Sequence, residues 1–216
     1  MTRKTRQRYI ADTETTTTEY SENETHVWAW AAQKIGDDAT QYGNCIDTLM
    51  AQFETVQGDY YFHNLAFDGE FIVSWLLNHG WTYSDNKQPK TFNAVISQLG
   101  RWYTIQIIYA RKGNKIKSTK LFDSLKKLPF SVKQVADAFN IPEKKLTLDY
   151  DQAWKNPNWI EDANTKEYIS HDVTIVNKAL KTMFDEGLEK MTIGGDAMFE
   201  YKNIIGSKVF DQLFPN

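Results

Sequence analysis

The sequence has a single cysteine, Cys45, so an internal disulfide is excluded, and no Cys or His cluster with the spacing of a zinc site accompanies it. Long apolar runs are missing too. No uninterrupted stretch approaches the roughly 20 residues needed to cross a bilayer, and the opening MTRKTRQRYI passes directly into polar sequence without the apolar core of a signal peptide. These absences predict a protein of a reducing, cytoplasmic setting with no membrane association. There is little excess charge: 25 basic against 28 acidic residues leave a net −3, which argues against a purely electrostatic nucleic-acid binder. Internal repeats and low-complexity tracts are absent as well. What remains is an ordinary globular composition, 41% hydrophobic over 216 residues, enough to bury a full core without metal or disulfide staples.

The elements follow from periodicity. RYIADT (8–13) reads as a short strand ending in turn formers, and THVWAWAAQK (25–34) as a second strand in a hairpin with it, with a third near Thr40–Tyr42. Ile46, Leu49, Met50 and Phe53 recur at helical spacing. A short aromatic strand, DYYFH (59–63), then leads into an amphipathic helix marked by Phe67, Phe71, Ile72, Trp75 and Leu76 and stopped by Gly80. Three more strands fill 91–123, a helix covers about 131–140, and a long helix spans 161–186 until Gly187 and then Gly194–Gly195 break the pattern. The expected class is α/β, a central mixed sheet flanked by helices.

Three placements of carboxylates carry chemistry. Asp12 and Glu14 alternate onto one face of the first strand. Two acids so placed repel unless solvent or a cation neutralises them, although D-x-E alone also suits a solvated loop edge. Asp68 sits near a helix start directly after a strand, where the helix dipole by itself would favour an acid. Tyr168 and Asp172 are spaced i,i+4 on the otherwise apolar face of the long helix. Four carboxylates and a tyrosine make a hard oxygen donor set that suits Mg²⁺ or Mn²⁺, and two such ions can stabilise the attacking and leaving oxygens of a phosphodiester. A separate stretch, 111–127, carries seven basic side chains against Asp123 alone. It is either a solvated hairpin or a basic face on which Lys112, Lys115 and Lys117 track a nucleic-acid backbone.

The order D-x-E, then N-x-x-x-D, then Y-x-x-x-D resembles the three motifs of the DEDD-type 3′→5′ exonucleases, in the subgroup marked by tyrosine. YFHNLAFDGEFI, ISQLGRWY, DSLKKLPF, EYISHD and GLEKMT extend the resemblance along essentially the whole chain. They are similar to the exonuclease domain of the protein-primed family B DNA polymerases of bacteriophages. The resemblance implies an RNase H-like exonuclease fold over residues 1–189. It implies a short extension, 190–216, similar to the start of a polymerase palm. The implied function is proofreading hydrolysis of single-stranded DNA from its 3′ end with two Mg²⁺ or Mn²⁺ ions. Asp12, Glu14, Asp68 and Asp172 match the metal-binding acids, Tyr168 the tyrosine that positions water, and Lys145 the lysine that assists the reaction. Thr15, His63, Asn64, Phe67, Phe71, Ser124 and Leu125 match positions that hold the 3′ end or contact the terminal protein. Implied partners are a single-stranded 3′ end, a terminal protein and a polymerase domain, and the chain is expected to be monomeric. Polymerase motifs such as D-x-x-S-L-Y-P or D-T-D do not occur in the sequence. Two other readings stand beside the exonuclease: a catalytically idle module that binds single strands or a terminal protein, and an RNA- or structure-directed nuclease of the same fold.

Overall fold

The computed structural model describes residues 6–16, 25–144, 146–148 and 153–215. Its centre is an eight-stranded mixed sheet of order β3-β2-β1-β4-β8-β7-β6-β5. β1 (Arg8–Thr15) pairs antiparallel with β2 (Val27–Lys34), which pairs antiparallel with β3 (Thr40–Gly43). On its other side β1 runs parallel to β4 (Asp59–Phe62), and β4 runs parallel to β8 (Lys115–Asp123). β7 (Trp102–Lys112) returns antiparallel to β8, β6 (Thr91–Ile96) antiparallel to β7, and β5 (Thr82–Tyr83) parallel to β6. The C-terminal ends of β1, β4 and β8 therefore share one edge of the sheet, and the turn joining β7 to β8 lies at the opposite edge.

Strand alternation divides the core in two. Ile10, Trp28 and Tyr61 face a layer built by α3 (Val132–Ala138) and the long α4 (Ala163–Asp185), where Val173, Val176 and Leu180 cover them. Ala11, Trp30, Tyr60, Phe62 and Leu121 face α1 (Ile46–Thr55) and α2 (Leu65–Asn78), packed through Phe53, Ile72 and Leu76. The helices of the first layer begin where the sequence supplies a cap. Ser131 and Gln134 close a capping box on α3, and the Asp162 carboxylate accepts from the N–H groups of Asn164 and Thr165 at the start of α4. The three-layer α/β architecture matches the expectation from periodicity, and so does the β1–β2 hairpin.

Two local expectations are corrected. Gly194 and Gly195 do not end helical structure: they lie in the first turn of α5 (Ile193–Ile205), where the Thr192 hydroxyl accepts from the Gly195 N–H. A first turn has no intrahelical N–H bonds to lose, so glycine costs less there than in a helix interior. α6 (Ser207–Leu213) follows after Gly206. The basic run 111–127 also divides. Lys127 is fully buried, with its ammonium paired to Asp196 and donating to the Lys190 carbonyl at 2.8 Å, so it fastens the start of α5 to the sheet. Lys126 pairs with Asp123 at 2.7 Å. Only the hairpin end of the run is left facing water.

Candidate active site

β1 carries Asp12 and Glu14 to the shared C-terminal edge on the face that α4 covers, and α4 presents Tyr168 and Asp172 from above. The fourth carboxylate arrives from the other layer. β4 ends at Phe62, the chain turns sharply through His63 and Asn64, and α2 begins at Leu65 with Asp68 in its first turn. Asp68 is buried and accepts a hydrogen bond of 2.6 Å from the Thr13 hydroxyl, which points from β1 away from Asp12. Gly69 beside it lets α2 settle onto β7, since a Cβ there would stand 2.8 Å from the Trp102 ring. Asp12, Glu14, Asp68, Tyr168, Asp172, His63, Asn64 and Phe67 line one cavity of about 290 Å³. Three sequence motifs spread over more than 150 residues thus converge at one place.

The electrostatics of that cavity are those of crowded anions. Asp12 is held well above the ordinary carboxylate value, first by burial and then by the charges of Asp68, Glu14 and Asp172. Asp68 is pushed up to about 7 by burial, against the opposing pull of its hydrogen bonds with Thr13. A cavity that penalises its own negative charge fits a cation, and its donors are the hard oxygens that Mg²⁺ or Mn²⁺ prefers. Among the described residues, no three His, Cys, Asp or Glu side chains already stand in a ready-made metal-holding group.

The remaining residues from the sequence motifs fall into four situations. Phe67 is 47% exposed and packs edge-on against the half-buried Phe71 at 5.6 Å, so only Phe67 offers an open ring face. Asn64 is exposed and Thr15 half-buried on the last residue of β1. Ser124 is fully buried: its hydroxyl lies 3.0 Å from both the Phe62 carbonyl and His63 Nδ1, so it acts through His63. His63 Nε2 donates to the Phe130 carbonyl at 2.7 Å, which fixes the ring at the cavity wall. Leu125, half-buried, belongs to the same short 3-10 turn as Ser124. Lys145 lies outside the described residues. The preceding Lys144 carbonyl is bound to His171 Nδ1 at 2.9 Å, next to Asp172 on α4. Lys112, Lys115 and Lys117 are exposed at the far edge of the sheet. Six residues at about 3.3 Å each put Lys117 roughly 20 Å from Asp123.

One residue escapes a reading of the sequence. Asp123, at the end of β8, is buried, and its Oδ1 accepts from the N–H groups of Asn64, Leu65 and Leu125 while Oδ2 holds Lys126. Asn64 adopts a left-handed backbone, φ 80°, a strained conformation for a residue with a Cβ. Asp123 stabilises that turn, and the turn aims the first turn of α2, with Asp68, at β1. In sequence Asp123 is one acid among seven bases. Only its position at the end of a strand, level with Phe62 of β4, could have marked it.

Comparison with known proteins agrees with this fold. A sequence model of the family "DNA polymerase type B, organellar and viral" matches residues 49–163. The DNA polymerase of Bacillus phage B103 is 40% identical over 211 residues, covering 97% of this chain and 36% of that protein. That of Bacillus phage phi29 is 39% identical over 212 residues with the same coverage, and that of Streptococcus phage Cp-1 is 30% identical over 229. The structure of phi29 DNA polymerase complexed with single-stranded DNA superposes with a TM-score of 0.88 at 38% identity, over 95% of this chain and 36% of that one. The chain spans little more than a third of the length of the curated relatives it matches. With a family match over more than half its residues and a shared fold throughout, the chain belongs to the type B DNA polymerases of organelles and viruses.

Proposed function

We propose that this chain is a metal-dependent 3′→5′ exonuclease on single-stranded DNA, the proofreading part of a protein-primed phage polymerase. The observation that carries the reading is the convergence of Asp12, Glu14, Asp68, Asp172 and Tyr168, from β1, α2 and α4, on a single cavity at the C-terminal edge of the parallel strands. A module that only bound DNA would gain nothing from four carboxylates facing a phosphate backbone. The relation to a polymerase solved with single-stranded DNA supports the same substrate.

Asp12, Glu14, Asp68 and Asp172 would hold the divalent ions, which when bound supply Lewis-acid stabilisation of the phosphodiester and an activated water. The chain's own groups do the rest. The buried Thr13 hydroxyl and the Asp123 hub hold Asp68 in place before substrate arrives, so little reorganisation remains for the reaction. Tyr168 is 7% exposed and locked into the α4 core, so its hydroxyl has a fixed place at the cavity wall from which to orient the attacking water. Phe67 offers its exposed ring to the terminal base, and His63, held by Ser124 and the Phe130 carbonyl through its two ring nitrogens, forms a fixed wall beside the strand. Incubating the purified chain with 5′-labelled single-stranded DNA in Mg²⁺, Mn²⁺ or EDTA tests the proposal. A ladder shortened from the 3′ end, metal-dependent and blocked by EDTA, is the expected result. Shortening from the 5′ end, internal cuts or no cleavage would refute it.

A further inference from the structure

β7 and β8 meet at a two-residue turn, Gly113–Asn114, at the edge of the sheet farthest from the carboxylates, with Gly113 at φ 59° closing it. Residues 111–117 hold four basic side chains and no acid, in a chain whose net charge is −3. Register places Lys112 directly opposite Lys115. Like charges facing each other across an antiparallel pair destabilise it, so this pairing costs the hairpin something and returns no packing. Register puts Lys112, Lys115 and Lys117 on one face of the hairpin, where with Arg111, Ile116 and Gln57 they line an open concavity of about 300 Å³; the Arg111 guanidinium itself donates to the Gly113 and Asn86 carbonyls. Among the described residues the one countercharge is Glu54, 3.7 Å from Lys117, with both side chains largely exposed. Lys117 also lies 5.9 Å over the Tyr109 ring, which steadies it without neutralising it.

We propose that this concavity is a second nucleic-acid site, one that grips the phosphate backbone of the strand about 20 Å or more from the acidic cavity. It rests on the exonuclease reading for the identity of the polyanion. At about 3.4 Å per nucleotide of a B-like strand, 20 Å is about six nucleotides. A trinucleotide in the acidic cavity cannot reach the hairpin, whereas a 20-mer can occupy both. Strand length, and not base sequence, then sets affinity. The hairpin supplies the attraction for phosphates that the acidic cavity, without its cations, repels.

The test compares the parent chain with the triple variant Lys112→Gln, Lys115→Gln, Lys117→Gln, and with Lys112→Glu, Lys115→Glu as a charge reversal. Fluorescence anisotropy in EDTA reads binding of a labelled 20-mer without cleavage, and thermal melting checks that each variant folds. The 20-mer should bind the triple variant at least tenfold more weakly. Its log–log salt slope should fall by about 2, since each phosphate of a single strand that the protein ceases to neutralise removes about 0.7. The charge reversal should weaken binding further. The kcat/KM for a trinucleotide in Mn²⁺ should stay within twofold of the parent. Equal 20-mer affinity and equal salt slope in parent and variants would overturn the proposal, and so would a loss that is the same for trinucleotide and 20-mer. The exonuclease reading fails separately: no protein would shorten any strand, while lysine-dependent binding of the 20-mer in EDTA persisted.

Discussion

The two edges of the sheet differ in how their charges are held. At the C-terminal edge of β1, β4 and β8, four acids crowd one cavity, Asp68 buried outright, inside a frame of hydrogen bonds donated by the Thr13 and Ser124 hydroxyls and accepted by Asp123. At the opposite edge the cations of the β7–β8 hairpin stand exposed around an open hollow: Lys117 has a long ion pair to Glu54 and lies over the Tyr109 ring, and Arg111 donates to the Gly113 and Asn86 carbonyls. Buried like charges are strained and directional. They belong to a site that must place atoms to a fraction of an ångström. Exposed like charges cost little, act over a Debye length and fade with salt, which suits a surface that attracts a backbone without reading it. Substitutions should therefore act on rate at the first edge and on affinity alone at the second.

The comparison breaks most sharply at β1. Asp12→Ala combined with Glu14→Ala should reduce metal-dependent cleavage at least ~10³-fold, about 4 kcal/mol of transition-state stabilisation, with the fold intact. Because Asp12 is pushed up by its burial and its acidic neighbours, the metal-free double variant should melt no lower than the parent. Single-turnover cleavage and a melting curve on one preparation check both; substantial remaining activity would remove these residues from the site. Tyr168→Phe is the next step down. It keeps the ring in the α4 core and deletes only the oxygen, so turnover should fall by roughly 10–10³-fold while Kd for DNA in EDTA holds. A hydroxyl with a purely structural role would instead lower stability by about 1 kcal/mol and leave the rate per folded molecule unchanged.

Much of this edge was legible because its signals are local. Period two on β1 puts Asp12 and Glu14 together, and i,i+4 spacing on α4 does the same for Tyr168 and Asp172. The assignment of Asp68 as their partner came from motif order, since a first-turn acid has its own local reason to exist. What stayed hidden was tertiary. Asp123 matters because β8 lies beside β4 and delivers its carboxylate to the N–H groups of Asn64 and Leu65, 59 and 58 residues away in sequence. Lys127 looks like one more solvated lysine until α5 brings Asp196 against it. β5, two residues long, has no periodicity to read, and it pairs with β6 only because the sheet edge is there. Spacing reports a face; it does not report which distant backbone groups that face will satisfy.

Asp123 can sharpen the contrast in turn. Asp123→Ala leaves the N–H groups of Asn64, Leu65 and Leu125 without their shared acceptor and frees Lys126. Stability should fall by about 2–3 kcal/mol, the scale for buried donors left unpaired. With the turn loosened, Asp68 loses its aim, so the concentration of Mn²⁺ needed for half-maximal cleavage should rise as well. Asp123→Asn keeps an acceptor and should recover most of both. Recovery of stability without recovery of the Mn²⁺ requirement would deny Asp123 its positioning role.

Asp68 offers a smaller effect with a definite sign. Its folded pKa, about 7, lies above the ordinary carboxylate value, so the metal-free native state binds a proton that the unfolded chain has already released. Its contribution is therefore most favourable at low pH, below the unfolded value, and is lost as pH rises through about 7. Between pH 5 and pH 8 the metal-free protein should lose about 1–3 kcal/mol from this group. Asp68→Asn keeps an acceptor for the Thr13 hydroxyl and should flatten that part of the profile. Denaturant titrations at the two pH values measure it, and an equal pH dependence in parent and variant would place the strain elsewhere in the cavity.

The smallest effect belongs to the basic edge. Lys117→Gln removes the pair with Glu54, but that pair is long and both partners are more than 40% exposed, so solvent already screens it. The lysine over the Tyr109 ring at 5.9 Å adds an exposed cation–π interaction at the weak end of its range. Against these two terms, relief of repulsion from Lys115 and the other cations around the hollow works in the opposite direction. The sum should stay within about 0.5 kcal/mol of the parent by denaturant titration, at low and at high salt alike. The same substitution should still lower the salt slope of single-strand binding. A residue that moves affinity and not stability is held for a ligand. If Lys117→Gln instead destabilised the chain by about 1 kcal/mol or more, beyond the usual range for a surface substitution, the hairpin's charge would belong to the fold, and the two edges would not differ in kind.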